Sequence, residues 1–182
     1  PPPVPKPDEF ARLMMEAQAL LSQPGMIGKA YLGFCKANMQ HHKDHGGRTS
    51  PEAQLMLGVA MSLGAAVLIA PGRPYMSPDP APELPPCMNG APPMQVADAR
   101  LDLALTMLQS AVVAGFSDAM RLATEPGLEA VRSLRPGPFA AVLERLPGGH
   151  SLAVLIRPAE PPREAIAPWS HGAAPEPPRE AI

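Results

Sequence analysis

The sequence predicts an all-α fold of about four helices, one of them strongly apolar, with long proline-rich extended arms. Three observations carry this reading. Aromatic residues make up only 4% of the 182-residue chain, while alanine, leucine and eleven methionines supply its apolar content, which suits helices packed through small and flexible side chains. Apolar residues recur at three- and four-residue spacing over much of the chain. The 27 prolines gather at the start, at 71–93 and after 158, so the part that can pack is shorter than the chain.

"PPPVPKP" at 1–7 is a polyproline arm, suited either to docking on an aromatic groove or to serving as a plain spacer. Asp8 then offers an N-cap to a first helix, in which Phe10, Leu13, Met14, Ala17, Leu20 and Leu21 share one face. "QPG" at 23–25 ends it. A second helix follows from Met26 to about His42, with Ala30, Phe34 and Ala37 on one side and Lys29, Lys36 and Gln40 in a polar stripe. Gly46 and Gly47 stop it, so residues 8–47 form a helical hairpin.

The third helix, within 50–71, has Ser50 as N-cap and Pro51 at the first helical position, and it should run unkinked to Pro71. Leu55 to Ala70 carry no charge, and apolar groups lie all round. At about 1.5 Å per residue it is about 28 Å long, against a hydrocarbon core of about 30 Å. It is therefore a candidate single membrane span. Gly58, Ser62, Gly64 and Ala65 supply the small side chains that let helices approach closely, in a membrane or in a crowded soluble core. Lys29, Lys36, Lys43 and Arg48 precede the segment and Arg73 follows it, which would place its N-terminal side in the cytoplasm, stroma or matrix. The alternative is a core helix that would need partner chains to cover it completely.

Residues 72–94 form a proline-rich connector. A long fourth helix is expected over Gln95–Ala123, with Leu101, Leu105, Leu108, Val112, Phe116 and Ala119 on one face. Opposite lie Asp102, Thr106, Gln109, Ser110, Ser117 and Arg121. Two short helical pieces complete the segment 95–157: "GLEAVRSL", and "FAAVLERL" with Phe139, Val142, Leu143 and Leu146 at helical spacing. "SLAVLI" at 151–156 fits a strand or a helical turn equally. The tail, 158–182, holds "EPPREAI" twice, which reads as a duplicated linear segment.

The net charge of -2, with no long run of one sign, gives no electrostatic basis for binding nucleic acid. Cys35 and Cys87 are too few for a disulfide framework or a cysteine zinc site. Pro1 is not a methionine, so a removed targeting segment and the compartment both stay open. In "HHKDHGGR", His41 and His45 are weak metal candidates at i, i+4. The simpler reading is that these side chains complement the C-terminal turn of their helix. "GFSDA" at 115–119 departs from a nucleophile elbow and falls inside the expected fourth helix. "GMIGKAYLG" lacks the spacing of a phosphate-binding loop.

The function expected from these features is a non-enzymatic accessory or structural subunit of a larger, membrane-associated complex, with an organellar membrane as one candidate location. Its partners would be other protein subunits and membrane lipid. No cofactor is expected, and contact with lipid or pigment stays open. The alternative is a soluble helical adaptor or minor assembly protein, such as one in a virus particle, whose apolar helix is buried by oligomerisation.

Overall fold

A computed structural model of the chain describes residues 8–70 and 91–157. The expected N-terminal arm, most of the connector and the tail with its "EPPREAI" copies lie outside the described residues. The described residues are all-α, without a strand, and hold eight α-helices and one 3₁₀ turn rather than about four helices.

Helix α1 spans Glu9–Leu21, and the Asp8 carboxylate accepts the Phe10 N–H at its start. Its outer face carries Arg12 between Glu9 and Glu16, while Met14 and Ala17 are buried. Helix α2 spans Ile27–Asp44 and buries Ala30, Phe34 and Ala37. The two helices lie so close that a Cβ on Gly33 would stand 2.8 Å from the Ala17 Cβ. At the end of α2, Gly46 turns left-handed and the Gly47 N–H reaches back to the His42 carbonyl, closing the helix. The Ser50 N–H then donates to Asn38 Oδ1 at 3.0 Å, pinning the next helix start to α2.

Helix α3, Pro51–Ile69, is the centre of the molecule. Ser50 Oγ caps it by accepting the Ala53 N–H at 3.2 Å. Every residue from Ala53 to Ser62 is buried, as are Gly64 and Ala65. Side chains such as Leu55 and Met61, removed from water entirely, contribute about 1.5–3 kcal/mol each. Helix α4, Pro93–Val113, covers one side. Gly58 of α3 faces Ala104 and Leu108 while Gly64 faces Arg100, so the two helices run antiparallel. Helix α2 covers a second side, and a third is closed by the 3₁₀ turn Pro126–Leu128 and by α6, Glu129–Leu134. Gly127 sits so tightly on α3 that a Cβ there would come within 2.5 Å of Val59 Cγ1.

The chain covers most of this helix by itself, with 67% of its most apolar stretch buried, and leaves the remainder uncovered. Pro51 and Glu52 at its start are partly exposed, and exposure is greatest toward its C-terminal end, where Val67 is open to solvent. By length and composition α3 is also long and apolar enough to cross a membrane.

The long helix expected over 95–123 is two helices. The chain leaves α4 at Gly115, whose φ of +106° no side-chain-bearing residue adopts readily. Paired bonds close the end, from the Phe116 N–H to Ala111 O and from the Gly115 N–H to Val112 O. Asp118 then caps α5, Ala119–Thr124, by accepting the Arg121 N–H. Ser117 thus lies in an exposed turn, not inside a helix, and Pro93 and Met94 belong to α4 rather than to the connector.

Helix α7, Pro136–Leu143, and α8, Gly149–Ile156, pair at the C-terminal end. They bury Phe139, Val142, Leu143 and Ala153, and the open question at 151–156 is resolved as helix. Arginines fasten these short elements. Arg132 donates to the carbonyls of Ala123 and Glu125, Arg135 reaches Asp98 and Asp102 of α4, and Arg121 grips Glu52 of α3 with both Nη atoms.

Candidate functional site

Two places combine sequence-predicted residues with a distinctive geometry: the seam between α3 and α4, and a polar cleft at one end of it. The four small residues of α3 all lie inside the bundle. A Cβ on Gly58 would stand 2.9 Å from Leu108 Cδ2 and 3.2 Å from the Ala104 carbonyl oxygen. Ser62 and Ala65 are fully buried, and Ser62 Oγ has no hydrogen-bond partner. Gly64 leaves the space that Arg100 occupies. The guanidinium, only 7% exposed as a residue, donates from Nη1 to the Gly64 carbonyl at 3.1 Å.

The cleft, about 980 Å³ in volume, lies where the end of α2, the start of α3 and the last turns of α4 meet. His41 and His45 line one side, with Arg48 from the loop that follows. Their imidazoles stack at 4.0 Å between centroids and 16° between planes, and Phe10 tilts against His41 at 5.2 Å. The His45 Nδ1 lies 3.1 Å from the His41 carbonyl, so the tautomer with hydrogen on Nδ1 donates to it. Burial, reinforced by His45, holds the His41 imidazolium below the usual histidine range.

Thr106, Gln109 and Ser110 of α4 form the facing wall, and Arg145, just after α7, adds a second guanidinium. Gln54, nine-tenths buried, forms the floor, and its Oε1 accepts no hydrogen bond. No carboxylate lines the cleft among the described residues. The histidine pair is brought together as its i, i+4 spacing implies, yet parallel stacked rings direct their lone pairs alongside each other rather than toward one point. No group of three metal-ligating side chains occurs among the described residues.

A smaller groove of about 380 Å³ at the opposite end of α3 is mostly apolar, formed by Leu21, Pro24 and Ile27 against Leu63, Val67 and Ala70. Arg100, Arg145 and the floor position of Gln54 escape a reading by motif. For Arg100 a signal exists: it is a lone charge on the stripe Ala97, Leu101, Ala104, Leu108 that α4 turns toward the core. Arg145 carries no such mark, because its role comes from the bend after α7. No family model, curated protein or solved structure matches the chain.

Proposed function

We propose that the chain is a non-enzymatic accessory subunit of a larger protein assembly, a helical adaptor whose apolar helix is its own core, and that its proline-rich segments bind the neighbouring subunits. One observation carries the choice of a water-facing adaptor over a membrane anchor: the helices that enclose α3 carry charge on their outer faces at the same level. Alongside the C-terminal half of α3, α4 presents Asp98 and Asp102 outward to Arg135, with the Asp102 side chain 69% exposed. A bilayer around α3 would have to solvate these groups or strip α4 away, each at a cost of several kcal/mol.

The membrane-associated reading keeps one specific support. The C-terminal end of α3 exposes Val67 beside the apolar groove, and the helix has the length to span. It requires the enclosing helices to part.

The binding role rests on composition. The proline-rich segments hold few apolar side chains with which to build a core, and proline stiffness lowers the entropy lost on docking. The test is truncation after Arg157, comparing helical circular dichroism and co-purification of native partners with those of the full chain. Retained helicity with reduced co-purification is expected, and co-purification equal to that of the full chain would contradict the role of the tail.

A further inference from the structure

We propose that the cleft between α2, α3 and α4 binds a small organic anion, a phosphomonoester or a compact polycarboxylate, gripped by Arg48 and Arg145. The inference is independent of the adaptor reading.

The contrast among the arginines carries it. Arg12, Arg121, Arg132, Arg135 and Arg157 each hold a carboxylate, and Arg100 holds the Gly64 carbonyl. Among the described residues only Arg48 and Arg145 have no side-chain hydrogen bond or ion pair, and both line this one cleft. A guanidinium is a rigid fork matched to oxyanions. Two unengaged forks facing one concavity, with no lining carboxylate among the described residues to neutralise them, make a region of positive potential.

A plainer role for these cations would be to cap the ends of α2 and α4. Five of those carbonyls are already taken: backbone N–H groups fill His41 O, His42 O, Ser110 O, Ala111 O and Val112 O. The volume of about 980 Å³ falls at the upper end of ordinary ligand sites. The opposite wall and floor set the rest of the chemistry. Thr106 Oγ1 and Ser110 Oγ spend their protons on backbone carbonyls, leaving lone pairs to accept, and Gln54 Oε1 lacks a donor. A ligand bearing hydroxyl groups beside its anionic group fits both sides.

The probe is inorganic pyrophosphate, titrated calorimetrically into the full chain at low ionic strength, with citrate as the carboxylate counterpart. Vesicles carrying a phosphomonoester lipid headgroup form a second arm. Saturable one-to-one binding of either free anion is expected, weakened about tenfold or more by Arg48→Gln or Arg145→Gln and lost in the double variant. Lys29→Gln with Lys36→Gln, exposed on α2 away from the cleft, should leave it unchanged. Binding confined to the vesicles and lost in the double variant would support the same chemistry with a lipid as the source. Since both arginines are exposed, the double variant should melt like the parent chain. The proposal is overturned if neither arm binds, if the double variant still binds, or if the lysine control weakens binding equally.

Discussion

The Arg100 guanidinium donates to the Gly64 carbonyl at 3.1 Å, and a Cβ on Gly64 would stand within 3.3 Å of the Arg100 Cδ. The glycine and the arginine are therefore one packing unit across the α3–α4 seam. Arg100→Ala removes a buried hydrogen bond and the packed stem together, for an expected loss of about 2–4 kcal/mol. Urea unfolding followed by circular dichroism measures it. An unchanged midpoint would mean that the guanidinium is not part of the packed seam.

Gly58 meets α4 through backbone as well as side chain, at the Ala104 carbonyl and Leu108. The Leu108 side chain can rotate away, but the backbone cannot. Gly58→Val is thus expected to cost about 3 kcal/mol by forcing the helices apart, despite removing a glycine from a helix interior. Its thermal midpoint should fall well below that of Gly137→Ala, a position where an added Cβ meets nothing within 4 Å.

Gly115 ends α4 with a φ of +106°. Gly115→Ala should destabilise by about 1–2 kcal/mol through backbone strain, although open space surrounds the site. If residues 95–123 could form one straight helix, the same substitution would instead stabilise the protein and raise its helicity.

His41 supplies a pH dependence whose sign follows from its surroundings. Burial first, then the neighbouring His45, depress its folded-state pKa, and Asp44 and Asp8 oppose this more weakly. The unfolded chain therefore binds a proton that the folded chain resists. The stabilising contribution is complete above about pH 6.5, the ordinary histidine value, and is lost as pH falls through the lower folded-state value. Unfolding midpoints measured from pH 7.5 to pH 5 should drop less steeply for His41→Gln than for the parent chain, and parallel curves would show that His41 does not contribute.

The helices that were legible in the sequence are those whose caps and periodicity agree. Asp8, Ser50 and Pro51 mark two starts, and Phe34 and Ala37 or Phe139 and Leu143 mark buried faces. The split at Gly115 was obscured because Phe116 and Ala119 continue the apolar period of α4 across the turn, so the pattern outweighed the stop signal that glycine followed by Asp118 supplies. The cleft was only half legible. His41 and His45 lie close in sequence, but Arg145 arrives from about a hundred positions away. Its convergence with Arg48 depends on how α7 packs, which no local spacing records.

Whether α3 is a core helix or a span separates an adaptor from a membrane anchor. Alkaline carbonate extraction of membranes from cells making the full chain tests this most directly. Because the chain's own helices enclose α3 and keep charge outside it, the protein is expected in the carbonate supernatant with soluble and peripheral proteins. Retention in the pellet with integral proteins, reversed only by detergent, would show that the bundle opens and α3 enters the bilayer.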